Sequence, residues 1–289
     1  MTRILAFAGK KQSGKTSAMN ALVGTAMINI MLPDGFPLIP YFKIDNKGRM
    51  VIKAFDVPNE KYDPDKGEWV PCDPSEAEAN FDPQARNPDV WQYMAENVWE
   101  HVKIYNFADP LKEIATSVLG LKPEQVYGTN EQKNELTDCL WNHLPIPREF
   151  AQQQKKINDW SKRTGAMSAR EVMQYLGTDM MRKLKDSCWV DATINRINME
   201  GSALALIGDC RFPNEVEGIQ AAGGKVIKFT RNIHPEDNHP SEIALDEGRF
   251  DQSKFDAIID NSKMTLDEQH VAVIQQLTEW DYLPTTQAA

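Results

Sequence analysis

The sequence predicts an α/β protein: a parallel sheet with helices on both faces. Three observations carry that expectation. The runs 4–8 (ILAFA) and 203–208 (ALALIG) are wholly apolar, as strands buried on both faces must be. Stretches with helical spacing follow such runs, and strand-like and helix-like segments alternate along the chain.

Taken in order, the strand over 4–8 ends at Gly9, and a helix runs from Lys15 to about Met27 on Ala18, Met19, Ala21, Leu22 and Val23. Residues 32–100 change character, with many prolines and an acidic, irregular stretch over 65–88. Within them, 41–44 and 50–55 flank Asp45-Asn46-Lys47-Gly48, a hairpin signal. We read 32–100 as an insertion in a single domain over 1–285. A strand is expected over 102–107 and a helix over 110–119; the polar stretch 128–165 reads as helical pieces. Ser168, with Glu171 three residues on, has the form of a capping box. The helix behind it carries Val172, Met173, Leu176, Met180 and Met181 at helical spacing, the methionines reading as core. After the strand 203–208 come a helix containing Val216 and Ile219, strands over 225–230 and 255–259, and a helix over 266–280.

The 289 residues hold 42 Asp and Glu against 32 Lys and Arg, a net charge of −10. A nonspecific polynucleotide binder needs a basic face to release counterions, so no nucleic-acid polymer is expected as partner. No apolar run approaches the roughly 18 residues of a membrane span, and the start MTRILAFAG has no room for a signal h-region. Cys72, Cys139, Cys188 and Cys210 lie too far apart for a zinc knuckle or redox pair and read as reduced thiols. The expectation is a soluble, cytoplasmic protein without a membrane partner; a homodimer is left open.

Residues 9–16, Gly9-Lys10-Lys11-Gln12-Ser13-Gly14-Lys15-Thr16, fit G-x-x-x-x-G-K-[ST] without mismatch, between a predicted strand and a predicted helix. Glycine lets the loop turn so that successive N–H groups point inward at phosphates, and the helix N-terminus behind adds partial positive charge. In that pattern Lys15 reaches the terminal phosphates and the Thr16 hydroxyl binds Mg²⁺. The loop is therefore the candidate site for the phosphates of a nucleotide.

The loop does not name the reaction. A GTPase would carry Asn-Lys-x-Asp, but Asn46-Lys47 continues Gly48-Arg49. A motor ATPase would end its second strand in a carboxylate pair; here the run 203–208 ends in Asp209-Cys210-Arg211. An acid next to a guanidinium suits holding an anion beside a metal, which favours transfer over hydrolysis. For an acceptor, Asp109 and Lys112 follow the strand at 102–107, on the edge where open α/β sheets bind ligands. The helix from Ser168 carries Arg170, Gln174, Thr178, Asp179 and Arg182, with 170, 174 and 178 stepping by four along one face. Several guanidinium forks suit a phosphate. The bland reading stays open at each position: Arg170, Arg182 and Lys112 as solvated charges, Asp109 as a cap, and His234 and His239 as parts of a polar loop.

FAGKKQSGKTSAMNAL, YNFADPLKEI, AREVMQYLGTDMMRK, CWV, GDCRFPNEVEGIQAAGGKVIKFTRN, DNHPSE and FDAIIDN, in that order, resemble the bacteriophage deoxynucleoside monophosphate kinases. The matching blocks cover about 4–20 and 102–265. The resemblance implies a P-loop kinase fold and transfer of the ATP γ-phosphoryl group to a dNMP with Mg²⁺, in a host cytoplasm if the chain is phage-encoded. It implies that Lys15, Asp209, Arg211 and Arg231 act at the transferred phosphate, with Asp209 and Thr16 at the metal. Gly9, Lys11, Ser13, Gly14, Lys15, Thr16 and Ser17 would hold ATP, Asn261 would border the adenine, and Asp109, Lys112, Arg170, Gln174, Thr178, Asp179, Arg182 and Glu242 would serve the acceptor. Residues 231–242 would form a lid, poor in arginine, which leaves the clamp between Arg211 and Arg231. Two other readings stay open: a kinase for another phosphorylated small molecule, and a non-catalytic ATP-binding scaffold. A third, a DNA-translocating ATPase, is opposed by the charge and by Asp209-Cys210-Arg211.

Overall fold

The computed structural model describes residues 2–54, 57–144, 164–233 and 240–283. His234, His239, the middle of the 231–242 segment and residues 145–163 lie outside the described residues. The chain divides into two compact units, Met1–Asn106 with Thr193–Ala289, and Phe107–Ala192.

The first unit is built on the expected parallel sheet of five strands. Arg3–Ala8 lies at its centre, between Lys225–Phe229 and Leu204–Cys210; Ala257–Ile259 and Val102–Tyr105 form the edges. Leu5, Phe7, Leu206 and Ile227 are fully buried, and Phe7 stacks on Phe229 with ring centroids 5.4 Å apart. Burying each such side chain contributes about 1.5–3 kcal/mol, which is why these apolar runs settle inside the sheet. The helix Lys15–Asn29 covers this core with Ala18, Met19, Leu22, Val23 and Met27, and Leu266–Glu279 adds Val273 and Leu277. Parallel strands place all their carboxyl ends on one edge, so the turns after Ala8, Cys210, Phe229 and Ile259 emerge together.

The 32–100 segment belongs to this unit, and its Ile39, Met50, Met94 and Val98 join the same core. The hairpin forms as its turn residues predict, with Phe42–Ile44 antiparallel to Met50–Lys53. Asp45, fully buried, accepts the N–H groups of Lys47 and Arg49 at 2.9 and 2.8 Å, and Gly48 supplies the positive φ of 77°. Among the described residues, no helix is long and apolar enough to cross a membrane.

The second unit has its own core of Ala115, Leu121, Val126, Trp141, Met167, Ala169 and Val172. Three expectations change here. Instead of helical pieces throughout 128–165, Leu136–Leu140 is a strand antiparallel to Ala166–Ser168. A strand whose partner lies far along the chain leaves little local periodicity to read. The capping box at Ser168 and Glu171 forms, but the helix it starts widens to a π-helix over Tyr175–Met181. There Gly177 O accepts the indole N–H of Trp189 at 3.1 Å, and a Cβ at Gly177 would stand 2.8 Å from a Leu111 methyl. The widening breaks the fixed step of four residues behind the 170, 174 and 178 face. It also shifts the phase of the methionines: Met180, expected in the core, is 47% exposed.

Candidate active site

The candidate phosphate loop leaves the central strand at Gly9, whose φ of 143° only glycine adopts freely; a Cβ there would lie 2.9 Å from Phe229 O. Gln12 and Gly14 also have positive φ, 59° and 100°, and the helix begins at Lys15. Ser13 is buried, Thr16 exposed and Ser17 half-buried. Lys15 is 8% exposed, and its ammonium donates to Gly9 O at 2.8 Å, Lys10 O at 2.6 Å and Ser13 Oγ at 3.3 Å. Burial, with help from the nearby Arg211 cation, lowers its pKa to about 8, against the opposing pull of Glu242 and Asp209. Arg211, Glu242 and Asp209 thus all stand close enough to act on the Lys15 ammonium.

Arg211 leaves the end of Leu204–Cys210. Its backbone N–H donates to Glu215 at 2.7 Å, as does that of Phe212 at 3.0 Å, so buried Glu215 caps the helix Pro213–Ala221 and holds the Arg211 turn. The Arg211 guanidinium pairs with Glu242. The other oxygen of that carboxylate accepts the Lys11 backbone N–H at 2.6 Å. A cavity of about 670 Å³ opens here, lined among others by Lys10, Arg211, Lys228, Glu242 and Asp246. Asn261 and the half-buried Arg231 spend their polar groups on the protein itself. Asn261 is fully buried, its Nδ2 on Ser13 O at 2.7 Å and its Oδ1 on the Arg231 N–H at 2.9 Å. The Arg231 guanidinium donates to Asn261 O at 2.8 Å and to Met264 O at 2.5 Å.

The remaining candidates lie in the second unit. Asp109 stands in the first turn of the helix Asp109–Ser117, 3.9 Å from Lys112, whose ammonium lies 5.1 Å from the Tyr127 ring centre. Arg170 donates to Asn134 at 3.0 Å and Asn130 at 2.9 Å. Burial, then Lys112 and Arg170, push the pKa of Lys133 down, so these three cations share one neighbourhood. Gln174 and Thr178 are exposed, Asp179 pairs with Lys183 at 3.4 Å, and Arg182 is half-buried. Sequence reading passed over Lys133 and Glu215. Of the two, only Glu215 left a signal, a glutamate three residues after the N-cap position Phe212.

The lowered Lys15 pKa has a measurable consequence. Phosphate beside the ammonium favours its charged form, so nucleotide binding near pH 8 is expected to take up a proton, and uptake should fade well below that pH. Calorimetry in buffers of different ionisation enthalpy measures this; no uptake at pH 8 would show that Lys15 does not meet the phosphates.

The family model for deoxynucleotide monophosphate kinases matches residues 121–270, just over half of the chain; the phosphate loop precedes that span. A protein of Acanthamoeba polyphaga mimivirus named for deoxynucleotide monophosphate kinase activity is 30% identical over 182 residues, 58% of this chain and 79% of its own. The deoxynucleoside-5'-monophosphate kinase of Escherichia phage T5 is 23% identical over 178 residues, 49% of this chain and 71% of its own.

Proposed function

The chain belongs to the deoxynucleotide monophosphate kinase family and is a phosphotransferase; from that premise we propose that it moves the γ-phosphoryl group of ATP onto a deoxynucleoside monophosphate, giving dNDP and ADP. The observation that carries this reading is the convergence of Lys15, Arg211 and Glu242 on one phosphate loop.

The loop from Gly9 to Ser17 holds the ATP phosphates, its N–H groups and Lys15 meeting their charge. Lys15 is held close to them and shielded from water, so its field there is little screened. Arg211 is the transition-state clamp we favour, because the Arg231 guanidinium is committed to the carbonyls of Asn261 and Met264. Among the described residues, no group of three or more His, Cys, Asp or Glu is arranged to hold a metal. Mg²⁺ suits a sparser set: the Thr16 hydroxyl and Asp209 carboxylate are hard oxygen donors, and phosphates complete such a shell. When bound, Mg²⁺ neutralises part of the phosphate charge. In the second unit, Lys112, Lys133 and Arg170 form the cationic cluster proposed for the acceptor phosphate, with Asp109, Gln174, Thr178, Asp179 and Arg182 as further acceptor-side residues. The acceptor phosphate is already anionic, so transfer needs no general base; positioning and electrostatics lower the barrier.

Glu242 competes with this chemistry. Its carboxylate takes the Lys11 N–H and the Arg211 guanidinium, donors of the kind a phosphate uses. Nucleotide must displace it, so Glu242→Gln is expected to tighten ATP binding about threefold or more, since hydrogen bonds to a charged group are the stronger ones. Weaker ATP binding by this variant, measured by calorimetry, would assign Glu242 to ligand contact instead.

The deciding experiment is ADP release with ATP and Mg²⁺ against dTMP, dGMP, dCMP, dAMP and the ribonucleotides, with products identified. Transfer to one or more dNMPs is expected. Equal slow ADP release with every acceptor would sink the reading.

A further inference from the structure

Two buried amides grip the phosphate loop from behind. Gln269, 1% exposed on the helix Leu266–Glu279, donates from Nε2 to Gly14 O at 3.0 Å and accepts from Asn261 Nδ2 at 2.6 Å. Asn261 Nδ2 also reaches Ser13 O at 2.7 Å. In a planar trans peptide the C=O and the following N–H point in opposite directions. Drawing the Ser13 carbonyl back onto Asn261 therefore turns the Gly14 N–H forward; the Gly14 carbonyl, which also accepts the first helical N–H from Ala18 at 3.0 Å, is fixed by Gln269 as well, and that does the same for the Lys15 N–H. Both N–H groups stand at the start of the helix Lys15–Asn29, where unpaired backbone donors meet an anion. Gly14 is fitted to this arrangement twice over. Its φ of 100° suits glycine, and a Cβ there would stand 2.4 Å from Gln269 Oε1.

We propose that Gln269 is a positioning residue for nucleotide binding: the Gln269–Asn261 pair holds the Gly14 and Lys15 N–H groups aimed at the phosphates before ATP arrives. The same Asn261 accepts the backbone N–H of Arg231, so the chain leaving the strand Lys225–Phe229 is fastened to the loop through one side chain. A preset loop does not have to pay for its own ordering when the ligand binds. The proposal rests on the loop being the ATP site.

The test compares ATP binding to the full chain for wild type, Gln269→Leu and Gln269→Glu, each checked for folding by circular dichroism and Tm. Leucine keeps the volume but loses both hydrogen bonds. Glutamate as a carboxylate cannot donate to Gly14 O and repels it; protonated, it can donate there and still accept from Asn261. The direct partners of this side chain, Asn261 and the Gly14 carbonyl, are uncharged. ATP affinity of Gln269→Leu is expected to fall about five- to tenfold at every pH, the worth of a lost hydrogen bond. Gln269→Glu should be as weak at pH 8 and return toward wild type at pH 6, taken as a ratio to wild type so that common titrations cancel. Folded variants that bind ATP as tightly as wild type would overturn the proposal. So would a Gln269→Glu deficit that does not change with pH and merely follows Tm, because packing alone gives that pattern. If wild type itself binds no ATP, the donor-site reading fails first, and that result is seen before any variant is made.

Discussion

Lys15→Met is expected to lower phosphoryl transfer on the order of 10³-fold, the loss typical of removing a buried donor aimed at developing charge. The fold should survive. Lys15 has a folded pKa of about 8, below its ordinary 10.5, because burial disfavours the charged form. The unfolded chain therefore binds more protons between those two values, so stability rises with pH through that window. Below about pH 8 the full cost of burying the ammonium is present. Methionine removes that cost at neutral pH, while the loss of hydrogen bonds to Gly9 O and Lys10 O offsets part of the gain. A Tm at pH 7 within a few degrees of wild type is expected, measured beside transfer to the preferred dNMP. Transfer near the wild-type rate would remove the phosphate loop from the reaction.

Arg211→Ala is expected to cost about 10³-fold in turnover or more, the range seen when a guanidinium that neutralises transition-state charge is lost. The Glu242 partnership complicates a single variant, because alanine also frees a carboxylate beside the phosphates. The double variant Arg211→Ala with Glu242→Gln separates the two effects. If Arg211 acts on the transferred group, the double variant stays as slow as the single one. Recovery to within tenfold of wild type would mean that the damage came from the unpaired carboxylate. Arg231→Ala should cost much less turnover, because that guanidinium is spent on two backbone carbonyls. A larger loss from Arg231 than from Arg211 would reverse the assignment.

The features legible in the sequence are those set by neighbours along the chain. The phosphate loop is eight contiguous residues whose glycines and lysine act through local backbone geometry. The Ser168–Glu171 cap, the hairpin turn at Asp45–Gly48 and the apolar central strands likewise follow from local spacing, and the structure reproduces each of them. The contacts that govern the loop follow another rule. Glu242 meets Lys11 across 231 residues, Asn261 meets Ser13 across 248, and Gln269 meets Gly14 across 255. No pattern within a helix or strand marks such residues, because what singles them out is the carbonyl or N–H that folding brings before them. The π-helical turn at Tyr175–Met181 is of the same kind, coming with an indole from Trp189 and a close methyl from Leu111. By itself the sequence determined the sheet and the turns of the glycine loop, because short-range periodicity and backbone stereochemistry suffice for them, and its ordered motif blocks carried the family resemblance. Only the tertiary structure decided that Asn261 and Arg231 support the loop region while Arg211 pairs with Glu242, since hydrogen bonds between distant segments depend on which groups the packed core leaves facing each other.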